Sequence, residues 1–239
     1  MKNKIKFFKN IFSNFKKTKK LPPIDFHIHT NWTDGVNTVQ SVYNKSNQIG
    51  LKFILYSEHS RKSSGKWFKN FHNQVRNLNI KNCIPMVGTE VKILNFKGDL
   101  DIAKKNFKLC DLVMASVHRF PGEKAIKKKK KFNIKNKKNA IETELQLLLA
   151  ACKNKKTDIL GHPFGMSIKR FGITPKLSYF EKVIKSAKKN HKIFEINLHY
   201  HKKIFKKLIK LCLKYNCLMS FGSNAHSINE IKNFNNISF

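Results

Sequence analysis

Residues 24–30 read IDFHIHT, an apolar run that carries two histidines one residue apart. Alternate residues of a strand face the same side. Read as a strand, the run sends Ile24, Phe26 and Ile28 one way and aims His27 and His29 at a common point on the other. An isolated His-x-His occurs on ordinary surface strands as readily as in ligand pairs. The decision rests on whether other donors converge on the same place.

Runs of the same kind recur along the chain. FILYSEH (53–59), CIPMVGTEVKIL (83–94), DLVMASVH (111–118), DILGHP (158–163), IFEINL (193–198) and CLMSFGSNAH (217–226) are all apolar and β-rich. Helix-like stretches lie between them, among them 38–50, 142–154 and 201–216. Seven strands alternating with helices predict an α/β fold with a parallel sheet.

Chemically capable residues stand at the C-terminal end of strand after strand: His27 and His29, His59, Glu90, His118, His162, and the pair Asn224 and His226. In a parallel barrel those ends share one face, where active sites are built. Of only 14 acids, five (Asp25, Asp34, Glu58, Glu90 and Glu195) fall in these runs or at a strand end, as do six of the 10 histidines, a clustering that composition does not produce. Neutral imidazoles with carboxylates suit zinc, iron or manganese. Six histidines exceed the roughly three protein ligands of a catalytic zinc site. Two or three divalent ions sharing a carboxylate fit the inventory better. Such ions polarise a phosphoryl oxygen and turn bound water into hydroxide. No G-x-S-x-G elbow is present and no cysteine lies in the motif runs, so nothing points to a covalent nucleophile.

At 239 residues with 41% apolar content, the chain is long enough for one large domain with a proper core. Five scattered cysteines without a CxxC pair suit a reducing cytoplasm and argue against cysteine-bound zinc. The net charge is +35, nearly all of it lysine: Arg61, Arg76, Arg119 and Arg170 are the only arginines. Abundant Lys, Asn, Ile and Phe accord with coding DNA rich in A and T, which leaves the scarcity of acids unexplained. Such a field attracts phosphates, nucleic acid or an anionic membrane without choosing among them.

Residues 1–21 are expected to form a basic amphipathic arm, with Ile5, Phe8, Phe12 and Phe15 at helical spacing, ahead of a hydrolase domain over 22–239. That arm can lie on a membrane surface, pack its Phe face on the domain, or fray. It lacks the features of a signal peptide, and no segment reaches transmembrane length. The lysine run 127–138 reads as a solvated insertion, or less simply as a nucleic-acid-binding tract.

The series HIHTNWTDG, SEHS, GTE, SVH, GHP and SNAH resembles, in order, the motifs of the PHP (polymerase and histidinol phosphatase) family over residues 24–227. The resemblance implies a distorted (β/α)7 TIM-like barrel and a centre, usually of three metal ions, that hydrolyses phosphoesters. Carried over by position, His27 and His29 ligate a first ion. Glu90 bridges it to a second held by His118 and His162. His59 and His226 hold a third, with Asp34 beside them. The chemistry is therefore expected of His27, His29, Glu90, His118, His162 and His226. Two positions depart from the family pattern. Glu58 replaces an Asp before the second-motif histidine, where it would orient an imidazole. Asn224 replaces an Asp expected to serve the first ion; its amide oxygen can coordinate but brings no charge.

Arg61 and Arg119 each follow a motif histidine and are candidates to grip a phosphate. His199 and His201 of the LHYH run either line the substrate pocket or cap a strand, and Lys92, Lys169 and Arg170 also follow strand ends. The favoured expectation is a phosphomonoesterase acting on a small phosphorylated metabolite, with histidinol phosphate as the family's best-known example. The alternatives are a nuclease or nucleotide phosphatase working on nucleic-acid ends, favoured by charge, and a non-catalytic metal- or nucleic-acid-binding module.

Overall fold

The computed structural model describes residues 2–121 and 137–237, so the lysine run up to residue 136 lies outside the described residues. Each expected apolar run holds a strand: β1 (Ile24–Ile28), β2 (Phe53–Glu58), β3 (Ile84–Lys92), β4 (Leu112–Ser116), β5 (Ile159–Leu160), β6 (Ile193–Asn197) and β7 (Met219–Gly222). They pair in parallel in sequence order, β1 to β7. Ile28 then bridges to Ala225. The His29 N–H donates to the Ala225 carbonyl at 2.8 Å, and the Ala225 N–H to the His27 carbonyl at 3.1 Å. The seven strands therefore form a nearly closed barrel. Asp25 helps tie this seam, accepting from Ser223 N–H at 2.9 Å and Lys232 N–H at 3.2 Å, while burial pushes its carboxyl up to about 6.

The helices are α1 (Lys2–Thr18), α2 (Val39–Gln48), α3 (Trp67–Arg76), α4 (Lys104–Leu109), α5 (Lys137–Lys153), α6 (Gly165–Phe171), α7 (Leu177–Lys189), α8 (Leu198–His201) and α9 (Phe205–Lys214). The start of α2 shows the local logic. Thr38 Oγ1 accepts from the Ser41 N–H, and Val39, Val42, Tyr43 and Ser46 form a buried face at helical spacing. The stretch 201–216, expected as one helix, is divided. His201 is fully buried; Asn197 N–H donates to its Nδ1 at 3.1 Å, and its Nε2 lies 2.9 Å from the Pro163 carbonyl. That pinned ring ends α8, and a 3-10 turn over Lys202–Ile204 leads into α9.

Helix α1 lies across the N-terminal ends of the strands. Phe7 meets Phe53 at the start of β2, Lys4 pairs with Asp158 just before β5 at 2.9 Å, and Lys16 bonds Asn216 just before β7. Phe8, Phe12 and Phe15 are buried in the same core as Leu21, Ile24 and Phe26. The apolar side of the expected arm thus packs on the barrel floor, opposite the functional face. No described helix is long and apolar enough to cross a membrane.

Candidate metal centre

Glu90 is the hub of the open face. It is buried in β3, with Oε1 2.7 Å from His162 Nε2 and 3.0 Å from His118 Nε2. Its Oε2 faces His59 Nδ1 at 3.3 Å, His27 Nε2 at 3.4 Å and His29 Nε2 at 3.7 Å. Asp34 is a smaller hub: Oδ2 lies 3.2 Å from His59 Nε2 and 3.4 Å from His226 Nε2, and Oδ1 lies 3.7 Å from His29 Nδ1. Among the described residues three donor groups result, each with its ligand atoms within 4.8 Å of one another: His29, Asp34, His59 and His226; His27, Glu90 and His162; and His59, Glu90 and His118. His59 and Glu90 belong to two groups each.

The sequence motifs are brought together. His27 and His29, expected to share an ion, fall in different donor groups, yet both turn a ring nitrogen toward Glu90 Oε2, with ring centroids 5.1 Å apart and planes at 57°. Strand β1 ends at Ile28 and its register with β2 shifts between Asp25 and Ile28. His29 follows the last strand residue, and its N–H still bonds the Ala225 carbonyl across the β1–β7 seam.

The imidazoles are held by groups behind them. Glu195 Oε1 takes the His27 Nδ1 contact at 2.7 Å, and its other oxygen accepts from the His162 backbone N–H. Asn197 Nδ2 donates to the same Glu195 at 3.0 Å. His226 Nδ1 lies 2.9 Å from the Asn224 carbonyl, which fixes the proton there and leaves Nε2 to face Asp34. Glu58 works differently from expectation. It orients no imidazole but accepts from Thr30 N–H at 2.8 Å, Thr30 Oγ1 at 2.7 Å and Thr33 Oγ1, so it shapes the turn that presents Asp34. Burial pushes this carboxyl up to about 7. The turn after β5 is strained, with φ of +26° at His162 and +66° at Phe164. Buried Glu144 steadies it by accepting from Met166 N–H at 3.1 Å and Ser167 N–H at 2.8 Å. Gly222 is required by close approach: a Cβ there would stand 2.5 Å from His27 Cβ and against Glu195 Oε1.

The donor set fits divalent metal. Among the described residues, His27 Nε2, both ring nitrogens of His29 and Nδ1 of His162 are buried without a hydrogen-bond partner. A buried polar atom left unpaired costs about 1–3 kcal/mol. Burial holds His29 well below the usual imidazole range, and neighbouring His27 adds to the effect, so one ring nitrogen keeps a lone pair for a ligand. Burial disfavours charge on His27 too, but the carboxylates of Glu195 and Glu90 outweigh it and raise the group well above its ordinary value. Glu90 is held well below the carboxylate range: burial opposes its charge, and the His118, His27 and His162 rings more than compensate.

The centre opens to solvent on one side. His27, His29, Glu90 and His162 are buried, whereas the side chains of His59, His118 and His226 are 27–35% exposed and Asp34 49%. A cavity of about 460 Å³ lies there, and Arg61, Lys92, Asp101 and Arg119 complete its wall. Both candidate arginines therefore border the open side. His199 is exposed at the rim with Lys169 Nζ 2.9 Å from its Nε2, and the Tyr200 ring sits 4.5 Å from that of His162. His201 takes the second of its two expected roles, capping the end of β6 and not lining the pocket. Alternation placed it beside His199, but α8 begins at Leu198, and helical geometry turns His201 inward, where both ring nitrogens are occupied. Sequence reasoning missed Asn197, Tyr200, Glu144 and Asp101 and left Glu195 without a role. Only Glu195 carried a signal, as a rare acid inside an apolar strand.

The PHP domain family model matches residues 25–199. A protein named probable phosphatase from Clostridium botulinum is 28% identical over 223 residues, 88% of this chain and 82% of its own. Another of the same name from Clostridium novyi is 28% identical over 229 residues, 90% of this chain and 83% of its own. The fold is similar to that of histidinol phosphate phosphatase from Lactococcus lactis, solved with zinc, L-histidinol and phosphate: the TM-score is 0.67 at 17% identity, with 86% of this chain and 87% of that one covered. With its motifs gathered at one mouth and the match spanning most of the barrel, the chain belongs to the PHP domain family.

Proposed function

We propose that this hydrolase of phosphate esters releases phosphate from a small phosphomonoester, as the named relatives suggest. The observation that carries the reading is the trio of donor groups sharing Glu90 and His59 beside a cavity large enough for a small metabolite. Each donor group would hold one ion. Divalent ions bound there supply Lewis acidity and a water of pKa near 7. The chain's own residues do the rest. Glu90 and Asp34 set the spacing of the ligands, Glu195 and the Asn224 carbonyl hold His27 and His226 in their ligating tautomers, and Arg61 and Arg119 grip the phosphate oxygens at the open side.

The test is phosphate release by protein loaded with manganese or zinc, across small monoesters including histidinol phosphate and mononucleotides. Turnover of at least one is expected, and His118→Ala should abolish it. Silence across the panel, with metal content confirmed, would overturn the reading and turn attention to oligonucleotide diesters.

Asn224 adds a second prediction. It sits at φ +60°, a left-handed position that Asn and Asp both tolerate. Asn224→Asp therefore introduces charge without new backbone strain, and metal affinity should tighten by about tenfold or more, on the scale of changes around metal ligands. An unchanged metal titration would remove Asn224 from the site.

A further inference from the structure

Three cations, Arg61, Lys92 and Arg119, line the open side of the centre. Among the described residues, Arg61, Lys92, Asp101 and Arg119 complete the cavity with Ser60 and the metal-facing donors, and no aliphatic or aromatic hydrocarbon side chain joins them. None of Arg61, Lys92 and Arg119 makes an ion pair among the described residues, whereas Arg76, on the barrel exterior, pairs with Asp111 at 2.7 Å.

The three cations stand on a fixed wall. Lys92 ends β3 two residues after Glu90, so its side chain leaves the strand on the same side as that hub. Its carbonyl accepts from Asp101 N–H at 2.9 Å, and the next residue, Ile93, bridges to Leu100. The Asp101 carboxylate is engaged by the Lys62 N–H at 2.9 Å, which draws the turn carrying Arg61 onto the same ribbon. Arg61 N–H is fixed in turn by Ser64 Oγ at 2.8 Å. Arg61, Lys92 and Arg119 thus come from the ends of three neighbouring strands, β2, β3 and β4, about 10 Å apart at the extremes given ~4.8 Å strand spacing.

The transferred phosphate would have the divalent ions held by the donor groups and the two flanking arginines to meet its charge. Lys92 remains between those arginines, with no carboxylate partner among the described residues and no hydrocarbon side chain in the cavity wall.

We propose that the substrate's leaving group carries a second anionic group, a carboxylate or a further phosphate, which Lys92 receives in this cavity. The inference rests on the phosphomonoesterase reading and narrows its substrate class. A leaving group bearing an ammonium, such as histidinol, would bring a cation against three others.

Matched pairs of substrates test this: glycerol 3-phosphate against 3-phosphoglycerate, and fructose 6-phosphate against fructose 1,6-bisphosphate. A charge-assisted contact is worth ~1.5–3 kcal/mol. At 1.4 kcal/mol per decade, the member with the extra anion should lead in kcat/KM by about tenfold or more. A preference confined to the first pair names a carboxylate, and one confined to the second names a phosphate. Lys92→Met should narrow the ratio within the favoured pair, and Lys92→Arg should keep it. Calorimetric binding of non-hydrolysable phosphonate analogues of the same pairs should give the same ratio without turnover. Equal kcat/KM within both pairs, alongside robust phosphate release, would overturn the inference and leave the phosphatase reading standing. No release from any monoester by metal-loaded protein would instead overturn that reading, and this inference with it.

Discussion

Glu90→Gln is expected to empty the centre and silence the enzyme together. The substitution keeps volume and shape, so the fold should survive. It removes the charge that five rings face, His118 and His162 from one oxygen and His27, His29 and His59 from the other. An amide must also turn an NH₂ toward one of those sets, placing a donor where lone pairs of ligating nitrogens converge. Two of the three donor groups lose their only carboxylate. The fall in phosphate release should exceed the ~10–100-fold that follows loss of a group merely supporting a ligand. Glu195→Gln supplies that comparison, because Glu195 touches His27 and the His162 backbone but belongs to none of the donor groups. Metal content by elemental analysis, phosphate release and circular dichroism decide the matter. A folded Glu90→Gln protein with full metal content and activity within tenfold of wild type would refute Glu90 as the shared ligand.

The second large effect concerns the floor of the barrel. Phe8 is buried, with its ring 5.5 Å from Phe26 and 5.3 Å from Phe7. Phe8→Ala deletes most of an aromatic side chain from that core and should destabilise the protein by about 3–5 kcal/mol. For a chain of this size, at ~2–4 °C per kcal/mol, the melting temperature should drop by roughly 6–20 °C. Lys6→Ala, on the exposed side of the same helix, should stay within about 0.5 kcal/mol of wild type. Thermal melting followed by circular dichroism measures both. A Phe8→Ala protein whose barrel melts at the wild-type temperature while only α1 loosens would show that residues 2–18 are a separable arm and not part of the cooperative core.

The two effects mark different depths of legibility in the sequence. The motif histidines and Glu90 are readable because each closes an apolar run whose period announces a strand, and a parallel sheet must bring such ends to one face. The core of α1 is only half readable. Its 3–4 spacing of phenylalanines predicts an apolar face, but the same spacing serves a membrane surface, a neighbouring domain or a barrel floor. What decided it were partners distant in sequence: Phe26 and Phe53 for the rings, Asp158 and Asn216 for the lysines.

Seven strands, their parallel sense and the residues that arm the mouth were determined by the sequence alone, because strand periodicity, alternation with helices and the position of a polar residue at a run's end are local properties. Which donors share a point was decided only in three dimensions. Helix α8 withdraws His201, and ring closure carries Glu195 behind His27 from 168 residues away. Periodicity fixes the side of an element that a residue occupies. The meeting of residues from different elements depends on where strands end, shift and close, and those terms are set by the packing of the whole barrel.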